Sequence, residues 1–569
     1  MRLGLRVVVL ALALGLPAAS HGSGQPPEEL HSYWVFFRDG GPEPAPALAE
    51  PSADLTPRAL ARRARAARER GEAATAIELP AARDLAPSET YVAALERMGA
   101  RTRTRSRWLN AVSVEAKATA LDAIRALPFV SEVLPVAVVT SDGASTSSAD
   151  STVTRAAAPR IISCDFLAAD AQEQTMMVNV EIAHHSGYRG QGVLICVLDS
   201  GFDLSHESLR HLVVREQRDF LRKDRDVSFD PAQDLPRQAY HGTQVLSVLA
   251  GYVPERYFVG PAIDAEFLLG KTEDIGSEKQ VEEDAWVEAV EWAEARGADI
   301  LVSSLTYPAW YRPQDRDGRT AVITRAANLA FERGLLIVNS IGNYGPGERT
   351  LSPPADAEGV IAVGSVDSQG KISPFSSLGP TWDGRVKPDL VAQGSRVVVA
   401  EPGTGKSLTY GSGTSFSNPL VAGCAAIVLS AHPDWGPEAV REALTMTASQ
   451  ASQPDSRLGW GIPDARAAIE YPEIQGDVDL ADDPFMKRTE AVVVQWESVG
   501  TVDSAAVAPS DTPPRGVTTA VYDGGFQIPN LPRGTYVLRI QAPGYLEAVS
   551  EPLQVPPSLF DLNFTLRRP

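Results

Sequence analysis

Three short stretches carry residues able to make and break bonds: Asp199 in "VLDSG", His241 at the head of "HGTQVLSVLAG", and Ser415 in "YGSGTSFSNPLVAG". A serine hydroxyl is a poor nucleophile until a neighbouring base removes its proton, and imidazole suits that task because its pKa lies near neutrality. A buried carboxylate would hold the second ring nitrogen in the right tautomer and stabilise the charge that forms. His241 is thus the candidate base, Asp199 its orienting carboxylate and Ser415 the nucleophile. Taken singly, each stretch also reads as local structure: a turn, the start of a helix, a cap. The run Gly411-Ser412-Gly413-Thr414-Ser415 is richer than one cap requires, with two glycines and several hydroxyls, as expected where backbone must come close to a ligand. At a helix N-terminus the Ser415 N–H could meet an oxyanion. Pro419 is expected in the first turn, where a missing N–H costs little.

Asp199, His241 and Ser415 are far apart in the chain, so the fold must gather them. Continuous apolar runs at 193–199, 265–272, 298–305, 335–341 and 360–366 predict strands covered on both faces. Between them, 281–295 places Ala285, Trp286, Ala289, Val290 and Ala293 on one helical face, with Ser277 and Gln280 as a capping box, and 320–333 reads as a second helix. The pattern predicts an α/β domain with a doubly wound, mostly parallel sheet, whose sites lie beyond the carboxyl ends of the strands.

Flanking segments differ in character. Residues 31–37 and the stretches 108–115 and 129–138 read as strands, and 87–98 and 118–127 as amphipathic helices, giving a small α+β unit. Residues 60–69 form an arginine-rich helix whose charges are expected to make a solvated face. The Ser/Thr/Ala-rich stretch 141–158 is too polar to pack and reads as a linker open to nicking. The last helix of the central region ends around 464–471, and 477–483 is acidic and loop-like. Residues 524–545 then alternate with Pro and Gly turns, predicting a small all-β sandwich. No internal repeat is evident.

With 569 residues, 44% of them hydrophobic, the chain can bury full cores, and its net charge of -20 argues against a nucleic-acid partner. Residues 1–24 combine Arg2 and Arg6, an apolar run at 7–16 and the small residues Ala18-Ala19-Ser20, the pattern of a cleaved secretory signal. The alternative, an uncleaved anchor, is disfavoured because the run is shorter than the roughly 20 residues that span a bilayer. No other stretch reads as a membrane span. Cys164, Cys196 and Cys424 have no metal-like spacing; the latter two read as small core residues, and pairing of Cys164 stays open.

"VLDSG", "HGTQV", "SIGNYG" and "GTSFSNPLVAG" occur together, in the order Asp, His, Ser that subtilisin uses. On these motifs residues 165–472 resemble a subtilisin-like serine protease. The resemblance implies a secreted endopeptidase acting through an acyl-enzyme on protein or peptide substrates. It implies that Asn343 is a side-chain oxyanion donor, that Ser304, Leu305 and Thr306 pair with extended peptide, and that Ser340 and Gly342 wall the specificity pocket. No cofactor is expected. Structural calcium is common in such proteins, but no acidic loop has ligand spacing, and Asp315-Asp317-Gly318 reads as a turn. A sulfonyl fluoride should inhibit, and a chelator should not act on the chemistry. Gln244 and Gln393 depart from the family pattern, which usually has His and Pro there.

Residues 31–138 resemble the family's propeptide, implying a self-processed precursor with an intramolecular inhibitor and folding assistant; the alternative is a permanent partner domain. Residues 139–164 would be the linker, and 484–569 resemble a carboxypeptidase-regulatory-like sandwich. Two other classes compete. A catalytically dead binding protein on this fold would have lost one of Asp199, His241 or Ser415. An α/β-hydrolase esterase would need G-x-S-x-G and the order Ser, acid, His, and Gly413-Thr414-Ser415-Phe416-Ser417 fails that pattern.

Overall fold

The computed structural model describes residues 30–42, 55–71, 84–136, 164–276, 281–307, 311–480, 492–499, 515–519, 525–529, 531, 534–543, 545–555 and 559–568. The signal at 1–24, the linker stretch 141–158, and Ser277 and Gln280 lie outside these residues.

The N-terminal unit comprises β1 (Leu30–Phe37), α1 (Pro57–Glu69), α2 (Glu89–Arg97), β2 (Arg101–Ser106), β3 (Ala111–Lys117), α3 (Leu121–Arg125) and β4 (Val130–Pro135). Its antiparallel sheet has the order β2-β3-β1-β4. β1 is apolar at successive positions because both its faces are covered. Tyr33, Val35 and Phe37 pack with Val92, Leu95 and Ile124 of the unit's own helices. Trp34 and Phe36 point the other way and join Trp286, Val290 and Trp292 of the central domain. Polar contacts seal that second face: Ser113 Oγ donates to Asp284 at 2.8 Å, and the Arg103 guanidinium lies 3.1 Å from the same carboxylate. β2, "RTRTRS", escapes the sequence reading because its alternation is of charge rather than of apolar residues.

α1 overturns an expectation. Its arginine face is docked on the central domain instead of being solvated: the Arg62 side chain is 1% exposed and pairs with Glu294, itself 0% exposed. Burial of an arginine is tolerable only with its charge matched and its donors bonded, and here Glu294 matches the charge while each guanidinium nitrogen has an acceptor.

The central domain runs through α4 (Cys164–Met176), α5 (Val180–His185), β5 (Leu194–Asp199), β6 (Val213–Asp219), α6 (Tyr240–Ala250), the short ribbon β7 (Tyr252–Val253) and β8 (Phe258–Val259), β9 (Glu266–Lys271), α7 (Val281–Arg296), β10 (Ile300–Ser303), α8 (Val322–Glu332), β11 (Leu336–Ser340), β12 (Ile361–Val366) and β13 (Leu390–Gln393). The hairpin β14 (Val397–Ala400) and β15 (Leu408–Gly411) follows, then α9 (Thr414–Ala431), α10 (Pro437–Met446) and α11 (Ala465–Glu470). Seven strands form one sheet in the order β13-β12-β11-β10-β5-β9-β6. Every pairing in it is parallel. The alternation within β5 shows why the run is continuously apolar: Ile195 and Val197 face a core shared with α6 and α9, whereas Leu194, Cys196 and Leu198 face α7 and α8. Chain order reverses between β5 and β10, so their carboxyl ends open the crevice where such sheets bind ligands.

Cys196 and Cys424 are buried free thiols, and burial pushes both thiol pKa values up, which makes them unreactive core residues. The side chain of Cys164 lies outside what is described. Contrary to the reading that nothing after the signal could span a bilayer, α9 has the length and apolarity to do so; 89% of it, however, is buried inside the domain.

β16 (Ile474–Leu480), β17 (Val493–Ser498), β18 (Arg515–Thr519), β19 (Gly525–Ile528), β20 (Gly534–Gln541), β21 (Ala548–Val549), β22 (Leu553–Val555) and β23 (Leu559–Leu566) make two sheets at the C-terminal end, β19-β16-β23 and a second built on β17, β18 and β20–β22. They share one core that includes Ile474, Val494, Phe526, Tyr536 and Leu538. The acidic loop expected from residue 477 is, up to Leu480, part of β16: Ile474, Gly476, Val478 and Leu480 point inward while Asp477 and Asp479 point to water. A period of two hides carboxylates on the wet face of a strand.

Candidate active site

Asp199 is the last residue of β5 and is fully buried, and His241 is the second residue of α6. The His241 Nδ1 lies 2.8 Å from Asp199 Oδ1 and 3.0 Å from Oδ2. Ser200 donates to Oδ1 from both its N–H, at 2.7 Å, and its hydroxyl, at 3.1 Å. The carboxylate is thereby fixed as an acceptor. Gly242 permits the approach, since a Cβ there would come 2.9 Å from the Asp199 Cβ and 2.3 Å from the Gly201 carbonyl. The His241 side chain remains 34% exposed, open to an incoming molecule. Burial draws its pKa down, but the charge and hydrogen bond of Asp199, with a smaller contribution from Glu273, outweigh this and raise it to about 9.

Ser415 is the second residue of α9, and the ring of its neighbour Phe416 sits 6.1 Å from that of His241. The Ser415 hydroxyl donates to the Ser304 carbonyl at 3.4 Å rather than to His241. Asn343 closes the other side. Its Oδ1 accepts from the Thr414 N–H at 2.9 Å and the Thr414 hydroxyl at 3.1 Å. A backbone N–H can only donate, so it must face the amide oxygen, and the Asn343 Nδ2 is left pointing elsewhere. Nδ2 is 3.6 Å from where a Gly413 Cβ would stand. Gly413 has φ 154°, and the Ser415 N–H, in the first turn of α9, has no intrahelical acceptor. Asn343 Nδ2 and the Ser415 nitrogen, 3.8 Å from the same Cβ position, are thus two N–H donors gathered beside Gly413.

Pro419 is not in the first turn but is the sixth residue of α9. There a proline deprives the carbonyl four residues earlier of its partner, and that carbonyl belongs to Ser415. Ser304 supplies the replacement: its hydroxyl donates to the Ser415 carbonyl at 3.1 Å and accepts from Asn418 Nδ2 at 3.2 Å. The proline is accommodated because β10 ends against the first turns of α9.

Of the remaining residues implied by the motifs, Ser304 is therefore in direct contact with Ser415. Leu305 is buried and Thr306 half-buried just beyond β10, with the Leu305 carbonyl accepting from Asn339 at 3.1 Å. Ser340 ends β11, and Gly342, at φ 111°, lends its carbonyl to the Ser377 N–H. Gln244 is half-buried on α6 and Gln393 buried at the end of β13. Asp317 accepts from the backbone of Arg319 and Thr320, as a turn residue does. No group of three His, Cys, Asp or Glu able to hold a metal occurs among the described residues. Sequence reasoning missed the roles of Ser200, Thr414 and the Ser304 hydroxyl; only the hydroxyl-rich "GTS" hinted at the second.

The Subtilase family profile matches residues 190–461, and the profile described as "Peptidase S8 propeptide domain, Bacteroidota" matches 32–151. Subtilisin NAT of Bacillus subtilis subsp. natto is 32% identical over 294 residues, which is 50% of this chain and 68% of that protein. The chain belongs to the subtilase family. Subtilisin of Bacillus pumilus is likewise 32% identical over 294 residues, covering 94% of it. Fervidolysin from Fervidobacterium pennivorans, a keratinolytic enzyme related to subtilisin, has a TM-score of 0.50 at 18% identity over 84% of this chain and 77% of that one, a likeness of fold. This subtilase is accordingly a serine peptidase made with a propeptide, and the propeptide match takes in the sheet of β1–β4 except the first two residues of β1.

Proposed function

We propose that this subtilase is an endopeptidase whose catalytic triad is Asp199, His241 and Ser415, with Asn343 and the Ser415 N–H as oxyanion donors. The observation that carries the reading is the His241–Asp199 hydrogen bond, set beside a helix N-terminus that leaves an N–H and an oriented amide unspent around Ser415. The Ser415 hydroxyl leaves the Ser304 carbonyl by rotating about χ1 and gives its proton to His241 Nε2 as Oγ bonds to the peptide carbonyl carbon. The carbonyl oxygen becomes an oxyanion held by the Ser415 N–H and Asn343 Nδ2. Collapse breaks the C–N bond, His241 protonates the departing amine, and water then releases the acyl group by the same steps. Ser304, Leu305 and Thr306 line up as the edge that an extended substrate would join, with Ser340 and Gly342 beside the pocket.

The precursor is read as a secretory signal at 1–24, an inhibitory propeptide at 31–138, a linker at 139–164, a catalytic domain at 165–472 and a β domain that the sequence starts at 484 but whose first strand, β16, begins at Ile474. On this reading the chain is exported and cuts its own linker. Phenylmethylsulfonyl fluoride should sulfonylate Ser415, detected by peptide mapping. Because the neutral imidazole is the base, the inactivation rate should climb as pH rises and level off above about 9. A label on another residue, or a rate independent of pH, would reject the assignment.

Asn343→Ala is expected to lower kcat by roughly 10²- to 10³-fold with KM little changed, the size known for subtilisin's own oxyanion asparagine rather than one obtained from this chain. Steady-state kinetics on a peptide amide would check it, and an equal rise in KM alone would assign Asn343 to ground-state binding.

A further inference from the structure

α1 lies at the end of the sheet opposite the candidate active site. Its contacts fall just before β5, β10 and β11, at Gly192, Ala298, Asp299 and Arg333, whereas Asp199, Ser304 and Ser340 lie at or just beyond the carboxyl ends of those strands. The Arg62 guanidinium is fully enclosed there. Its Nε donates to the Arg333 carbonyl at 3.3 Å, its Nη1 to the Ala298 carbonyl, and its Nη2 to both the Glu294 carbonyl, at 3.1 Å, and the Glu294 carboxylate. Arg63 adds a bidentate pair to Glu294 at 2.8 and 2.7 Å and a second to Asp84. Arg58 and Arg65 share Asp299.

The receiving surface is shaped for this helix. The Glu294, Ala298 and Arg333 carbonyls lie at or just past the C-terminal ends of α7 and α8, where helix dipoles favour cations. At the N-terminus of α10 the polarity is reversed, and there α1 presents Glu69, which accepts from the Glu438 and Ala439 N–H groups at 3.2 and 2.6 Å. Gly297 and Gly334, at φ +87° and +85°, leave bare backbone under α1; a Cβ on them would come 2.8 Å from Arg58 and 2.9 Å from Ala66.

We propose that the base of the catalytic domain is a guanidinium-binding site whose occupant is Arg62, and that through it α1 forms a second anchor holding the propeptide domain after the connecting chain is cut. The first anchor is the sheet face carrying Trp34 and Phe36. Two patches on one tethered body raise each other's effective concentration, so losing one should weaken retention by about 10²-fold or more. The proposal rests on the propeptide reading and not on the triad.

Its test is therefore independent of the chain's own activity. In the full-length Ser415→Ala protein, a recognition sequence for an unrelated site-specific protease is placed within 141–158, the chain is cut there, and dissociation of the propeptide domain is followed by size-exclusion chromatography. The parent should stay associated, and Arg62→Met/Arg63→Met and, from the receptor side, Glu294→Gln should each release it at least about 100-fold faster. Where the buried variants fail to fold, Arg58→Ala/Arg65→Ala at the rim should still release it about 10-fold faster. Release at the parental rate in any folded variant overturns the proposal.

Discussion

Ser415→Ala is expected to abolish hydrolysis of casein and to leave the precursor uncut, a loss on the order of 10⁶-fold, the size known for subtilisin rather than one obtained from this geometry. The variant should remain folded. The hydroxyl's one bond, 3.4 Å to the Ser304 carbonyl, is long, while the helix-supporting bond from the Ser304 hydroxyl goes to the main chain of residue 415 and survives the change. Gel electrophoresis of the purified chain reads maturation, and thermal melting reads the fold. A folded variant that matures normally would remove Ser415 from the chemistry altogether.

Asp199→Asn should reduce kcat by roughly 10⁴-fold while leaving the backbone in place. The reason lies in Ser200. Its N–H and hydroxyl both donate to Oδ1, so the asparagine oxygen must stay there and the new NH₂ must occupy the Oδ2 position, 3.0 Å from His241 Nδ1. The amide then donates to Nδ1, which forces the ring proton onto Nε2, the nitrogen that has to accept from Ser415. Removing the carboxylate also removes what holds the imidazole pKa up at about 9, so the residual activity should titrate at lower pH than the parent. A pH profile whose limb stays where it was would show that Asp199 does not govern His241.

The order of motifs and the five apolar strands were legible because each has a local signature: a strand end, a helix start, or a run of β-branched residues buried on two sides. What escaped depends on partners remote in sequence. β6, "VVREQRD", sits at the sheet edge with three of its seven residues exposed and only one buried, and so carries no apolar pattern. The arginines of α1 resemble any solvated helix face until Glu294 and Asp299, more than 200 positions away, are set against them. Pro419 lies past the first turn even when the helix is counted from Ser415, and what the sequence hides is that Ser304 satisfies the carbonyl the proline strands. The motifs pointed to the pairing of Asp199 with His241, but not to the resting direction of the Ser415 hydroxyl.

The two-sided burial of β1 has a thermodynamic corollary. One face of that sheet belongs to its own small core and the other to the core around Trp286, so Trp34, Phe36 and Trp108 are interior residues only while the two bodies are joined. The melting of the two bodies is therefore expected to be coupled in the precursor. The unfolding temperature of that couple should then be a joint property in the intact chain, and in the nicked chain it should acquire a dependence on protein concentration.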